Sequence, residues 1–242
     1  MDRKTRHQLK QDEFRDTLVT AEEFVKAHAK EIINYTIIVV AVLALAGGLK
    51  YYTDRQEAAA NADLGAALAT FRAYVGQPTP GQSDPNAPTY LTAEAKYQKA
   101  LQQFDAIVSK YTMPPKPKAV DIALYQAGVC QSLLNDHAGA IRTLMEASQI
   151  HDAEIASLAK YALAGELAKT GKTQEAAKLY QDLADHPTLN VPRASALLGL
   201  ADDYRASQPA KAREIYQRVG KDFASDPTVA QAVQQQMASL TP

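Results

Sequence analysis

SLAKYALAGELAKTGKTQEAAKLYQDL, Ser157 to Leu183, is the stretch whose reading decides the fold. Its first half, Ser157 to Lys169, reads as an apolar helix. Thr170-Gly171-Lys172 then offers a turn, because glycine takes the backbone conformations other residues avoid. The second half places Ala176, Tyr180 and Leu183 at spacings of four and three, on one face of a second helix. On that face a small residue lets a neighbouring helix come close and a bulky one fills the groove beside it. Working outward, the same Ala-x3-bulky-x2-apolar pattern recurs as Ala100, Phe104, Ile107, as Ala140, Leu144, Ala147, and as Ala212, Tyr216, Val219. The alanines are separated by 40, 36 and 36 residues. About twelve residues before each of the last three lies the middle of a preceding helix, within Leu124 to Leu134, Ser157 to Lys169 and Arg193 to Tyr204. Asn135-Asp136-His137 and Ser207-Gln208-Pro209 supply the other inter-helix turns, and His186-Pro187, Asp226-Pro227 and the prolines at 114 to 117 separate the units.

A helix-turn-helix unit of this length, with small and large residues at fixed offsets, resembles the tetratricopeptide repeat. In that family a small residue of the first helix precedes the alanine by twelve. Gly128 before Ala140 and Ala164 before Ala176 match, Leu200 before Ala212 departs, and the family's early aromatic is missing from a chain without Trp. The resemblance implies about three and a half repeats over residues 91–242. Pro227 to Leu240 follows as a terminal helix, its Gln234-Gln235-Gln236 run covering the end of the stack. It also implies a concave surface lined by the first helix of each repeat and suited to holding a polypeptide. Registered on the alanines, Tyr125, Tyr161 and Leu197 occupy one equivalent groove position and Ser132, Ala168 and Tyr204 another, with Lys169 and Arg205 beside the latter. Tyrosines give contact area at low entropic cost, so Tyr125, Ser132, Tyr161, Lys169, Leu197, Tyr204 and Arg205 form the expected peptide-binding groove. The Lys and Asn pattern by which some such repeats clamp a terminal carboxylate is absent.

Toward the N-terminus, Ile32 to Leu49 (IINYTIIVVAVLALAGGL) is an uncharged run of 18 residues between Glu31 and Lys50. As a helix it rises roughly 27 Å, close to the ~30 Å of bilayer hydrocarbon. A helix satisfies its own backbone there while Ile, Val and Leu face lipid, and Tyr35, Tyr51 and Tyr52 sit where interfacial aromatics anchor a span. Ala44-Leu45-Ala46 has the spacing of a signal-peptidase site, but the preceding 31 residues carry seven acidic and seven basic side chains, unlike a short positive signal region. Leu45-Ala46-Gly47-Gly48 approaches a lipoprotein box, yet lacks the cysteine that would be acylated. The reading is therefore an uncleaved anchor. Seven basic residues precede it, against Lys50 and Arg55 in the twenty that follow, which favours a cytoplasmic N-terminus. In residues 1–31, Thr20 and Glu23 form a capping box from which a helix enters the membrane. Residues 53–90 hold an Ala-rich connecting helix and then Gly76 to Pro88, four prolines and two glycines in thirteen residues, a loop. The domain map is a leader over 1–31, a transmembrane helix over 32–52, a connection over 53–90 and repeats over 91–242. The fold class is all-α, with a transmembrane helix followed by an α-solenoid.

Several chemistries find no footing. From Lys50 on, 19 basic and 20 acidic residues leave no clustered positive field for nucleic acid. Cys130 is the single cysteine and has no internal disulfide partner. His7, His28, His137, His151 and His186 read as surface residues without metal-ligand spacing, so neither a metal nor another cofactor is expected. Thr170-Gly171-Lys172-Thr173 imitates a phosphate-binding loop, but Glu166 stands where such a loop needs glycine and the flanks are helical. No constellation supports catalysis.

Leader, single span and neutral repeat domain together resemble the YfgM-type ancillary subunits of the bacterial Sec translocon. That resemblance implies a bitopic inner-membrane protein beside the SecYEG channel, its repeat domain in the periplasm meeting emerging polypeptides or chaperones. A self-associating structural protein of envelope assembly or division is the alternative.

Overall fold

A computed structural model of the chain describes residues 26–76 and 88–240. The Thr20 and Glu23 capping box and nearly all of the Pro-rich loop lie outside them. The chain divides into two compact units, Met1–Arg55 and Gln56–Pro242.

In the first unit, helix α1 (Ala29–Arg72) carries the apolar run. Its most apolar 18-residue window has a mean hydropathy of 2.3 and no buried residue. Ile33 is 57% exposed and Leu45 74%, although both are residue types that globular proteins bury. The helix is long and apolar enough to cross a membrane. After the apolar run, Lys50 pairs with Asp54 at 3.0 Å and the Arg55 guanidinium lies 5.5 Å over the Tyr51 ring.

The second unit begins in the same helix, where Ala60, Leu64 and Ala67 are buried. They join a core with Ala100, Phe104 and Ile107 of α2 (Ala93–Lys110) and with Ala119, Val120, Ala123, Ala127 and Cys130 of α3 (Lys118–Leu133). Helical packing thus starts ahead of residue 91, where the repeats were expected to begin. Ala60, Leu64 and Ala67 repeat the four-and-three spacing of the later units and give α2 a surface to bury against. Asp63 fastens the pair, accepting from Lys110 Nζ and Tyr111 Oη at 2.8 Å each, and these bonds hold its carboxyl below the ordinary range. Between the two helices Tyr74–Val75 (β1) pairs in parallel with Thr89–Tyr90 (β2), a short element absent from the all-helical expectation. Thirteen residues separate the two, enough for the crossover that parallel pairing requires.

The remaining helices are α4 (His137–Ala147), α5 (Ala153–Lys169), α6 (Thr173–Asp185), α7 (Arg193–Tyr204), α8 (Pro209–Asp222) and α9 (Pro227–Ala238). Consecutive helices pack together, and α3 also touches α5, as α5 touches α7. First helices stacked on first helices are the geometry of a tetratricopeptide-like solenoid. All twelve residues of the four recurring triads are buried, from Ala100 to Val219. Each buried Leu or Phe there contributes roughly 1.5–3 kcal/mol.

Local chemistry sets the helix ends. Asp136, Asp152 and Asp226 accept hydrogen bonds from backbone N–H groups of the turns they open, caps worth about 1 kcal/mol each. The two inner turns close alike. Asp136 N donates to Gln131 O at 2.9 Å and Lys172 N to Leu167 O at 2.8 Å, with Asn135 at φ 61° and Gly171 at φ 80° in the left-handed conformation between them. At the far end α9 buries Val233, while Gln234 and Gln235 face outward.

Candidate functional site

Between α3 and α5 lies an open cleft of about 320 Å³. Tyr125, Val129 and Ser132 recur along one face of α3, and Tyr161, Gly165 and Lys169 along the facing side of α5. Leu144 and Tyr180, from the second helices behind, form the floor, so the wall of the cleft is mostly apolar. The Tyr161 and Tyr180 rings meet edge to face at 5.4 Å, which fixes the Tyr161 ring in place. Burial pushes the phenols of Tyr125 and Tyr161 above their ordinary values, so both stay protonated donors at neutral pH. Neither hydroxyl has a hydrogen-bond partner among the described residues, and each is open to a backbone carbonyl of a bound chain.

The polar end of the cleft is organised by Glu166, 2% exposed. Its carboxylate accepts from Ser132 Oγ at 2.5 Å and Lys169 Nζ at 2.6 Å, and His137 Nδ1 lies 2.8 Å from the other oxygen. Burial raises the pKa of this carboxyl, but the bonds from Lys169, Ser132 and His137 outweigh burial and bring it below its ordinary value. The result is an anion locked between two helices of neighbouring repeats. Lys169 and Ser132 are thereby fixed at the mouth of the cleft, and His137, expected as a surface histidine, is half-buried and engaged.

Of the seven residues expected to line one groove, Tyr125, Ser132, Tyr161 and Lys169 come together. The other three do not join them. Leu197 is 1% exposed and belongs to the core, because the α7 face carrying it packs inside the stack. Tyr204 looks into a different cleft, between α6 and α8, with Lys211 Nζ 4.0 Å over its ring. Arg205 is taken up by the terminal helix, donating to Gln236 Oε1 and Ser239 Oγ at 2.9 Å each. Register on the alanines carries a position from one repeat to the next, but the last repeat is closed off by α9 instead of another repeat.

Glu166 and Tyr180 were missed as site residues. The signal for Glu166 was present, since it stands three and seven residues after Leu163 and Ala159, on an otherwise buried helical face. Tyr180 was read as core, and it serves as core and floor at once.

Comparison with protein families agrees with the geometry at its C-terminal end. The tetratricopeptide repeat family matches residues 195–225, the stretch that contains most of α7 and all of α8. Comparison with curated proteins returns no significant match. Tetratricopeptide repeats are in general modules for protein–protein interaction and not enzymes, so the matched region points to protein partners.

Proposed function

We propose that this chain is a bitopic membrane scaffold whose cleft between α3 and α5 holds a polypeptide segment. The observation that carries this reading is the pair of Tyr125 and Tyr161 hydroxyls, without a hydrogen-bond partner among the described residues, set over an apolar floor. They offer hydrogen bonds to an extended backbone, while Leu144, Val129 and the Tyr180 ring accept one apolar side chain. The apolar part of α1 is the anchor, with the leader in the cytoplasm and the repeats outside, as the basic residues ahead of the span favour. A bacterial inner membrane, with the repeats periplasmic and beside the SecYEG channel, suits this arrangement. Emerging chains and periplasmic chaperones are the partners such a position offers. A modest intrinsic affinity suffices there, because tethering raises the effective concentration to the millimolar range.

A photocrosslinking residue at Tyr125 or Tyr161, introduced in the full chain in membranes, tests this. Adducts with translocating polypeptides, a channel subunit or a chaperone support the scaffold. Adducts only with a second copy of the chain replace it with the self-associating structural reading, and no adduct at either position removes both.

A further inference from the structure

Between the second helices α6 and α8, with the end of the first helix α7 below them, lies a cleft of about 490 Å³ that is separate from the one between α3 and α5. Its floor is apolar, built from Ala177, Leu200 and Ile215 with Tyr204 at one side. Its rim carries Lys178, Lys211 and Arg218 against the single carboxylate of Glu214. None of these four makes an ion pair among the described residues, although Glu214 stands three and four residues from Lys211 and Arg218 on one helix. Three cations against one carboxylate over an apolar floor form a local positive excess on a chain of formal net charge −1.

We infer that this second cleft binds an acidic, extended polypeptide segment, an apolar side chain on Ala177, Leu200 and Ile215 with flanking carboxylates on Lys178, Lys211 and Arg218. Gln174 to Gln181 covers about 10 Å of α6, room for about three residues of extended chain. Three residues are what an apolar side chain with an acid on each side requires. Glu214 and Gln174 offer acceptors and donors for the backbone between those side chains, and Gln181, whose Nε2 donates to Asp185, offers its Oε1 as an acceptor. Nucleic acid fits less well, because its phosphates would meet Glu214 and the apolar floor would remain unused.

The test uses the full chain in detergent micelles and a fluorescein-labelled heptapeptide with leucine at the centre and Asp or Glu elsewhere, read by anisotropy. Its counterpart with Asn and Gln in place of the acids is the control. The acidic peptide should bind at least about tenfold tighter than the control and weaken as salt rises, as expected for charge-guided recognition. Lys178→Glu combined with Arg218→Glu changes only exposed side chains and should abolish that preference with the helical circular-dichroism signal retained. Tyr161→Ala, in the other cleft, should leave it unchanged. Equal binding of both peptides, an unaltered preference in the double variant, or displacement of the acidic peptide by duplex DNA more effectively than by unlabelled acidic peptide would overturn the inference. Loss of binding in Tyr161→Ala would also overturn it, by assigning the peptide to the cleft between α3 and α5.

Discussion

Leucine does opposite things in the two parts of this chain. Leu43 and Leu45 in the apolar run of α1 are 65% and 74% exposed, whereas Leu144 and Leu197 in the repeats are 0% and 1% exposed. The side chain is the same and its surroundings differ. In the apolar run of α1 apolar residues occur all round the helix and none is buried, which suits a nonpolar solvent such as the hydrocarbon of the proposed membrane span. In the second helices of the repeats, α4, α6 and α8, apolar residues keep to one face at spacings of three and four, and Ala or Gly of the first helices lets them come close, so neighbours supply that solvent. Stability of the repeats therefore resides in shape, and the capacity of the apolar run to cross a membrane in composition.

The largest expected effect breaks this contrast most directly. Leu144→Ala should lower the unfolding free energy of the repeats by about 2–5 kcal/mol, while Leu43→Ala should leave it within about 0.5 kcal/mol. Chemical denaturation of the full chain in micelles, followed by circular dichroism, reads both. A comparable loss in the two variants would mean that the apolar run of α1 is buried against protein.

Close approach of helices gives the next effect. A Cβ added at Gly128 would lie 2.7 Å from Leu144 Cγ and Cδ2, and one at Gly199 would lie 2.6 Å from Tyr180 Cε1. Both neighbours are buried and cannot swing aside, so Gly128→Ala and Gly199→Ala should each cost about 1–3 kcal/mol. Ala at Gly47, where nothing lies within 4 Å, should leave the repeats unaffected.

Gly199 also shows where the sequence was legible and where it was not. Gly128 and Ala164 could be placed by counting twelve back from Ala140 and Ala176, because both lie at regular crossings. In the next unit the count lands on Leu200, which looked like a departure. The close approach in this unit lies one residue away, at Gly199, and is made to a different neighbour, the Tyr180 ring of the preceding unit, whereas Gly128 meets Leu144 of its own unit. A period counted from the sequence finds the helices but cannot follow such a shift, which depends on the size of a residue in another repeat. The start of the packed unit was hidden similarly. Ala60, Leu64 and Ala67 have the right spacing, but they stand in a helix that reads as a continuation of the apolar run. In the cleft, Tyr125 and Tyr161 were legible from register. The inward face of Glu166 was legible from its spacing after Leu163 and Ala159, but its partners Ser132 and His137, 34 and 29 residues away, were not.

Glu166 supplies a smaller effect with a definite sign in pH. Its folded pKa lies below the ordinary value of 4.5, so its contribution to stability is complete above that value and is lost as pH falls through the folded pKa. Glu166→Gln should cost about 1–3 kcal/mol at neutral pH, since His137, Ser132 and Lys169 lose a charged acceptor. The variant should also show a shallower loss of stability below pH 4.5 than the parent. An unchanged acid profile in the variant would remove the Ser132, His137 and Lys169 bonds from the account of the cleft.

The smallest effect is a rate, and it asks whether the repeats notice what surrounds the apolar run of α1 at all. Cys130 is 0% exposed in the core that α1 shares with α2 and α3, and burial, with a contribution from Asp105, pushes its thiol up to about 12. At pH 8 only about one thiol in ten thousand is then ionised, so alkylation requires that core to open. Iodoacetamide should therefore label Cys130 slowly and at nearly the same rate in micelles and in lipid bilayers, because opening depends on helix-to-helix packing from Ala60 onward. Gly128→Ala, which loosens that packing, should raise the rate in both. A rate that follows the surrounding lipid instead would show that the two parts of α1 are energetically coupled, and the contrast between solvent-held and neighbour-held leucines would have to be redrawn at Arg55.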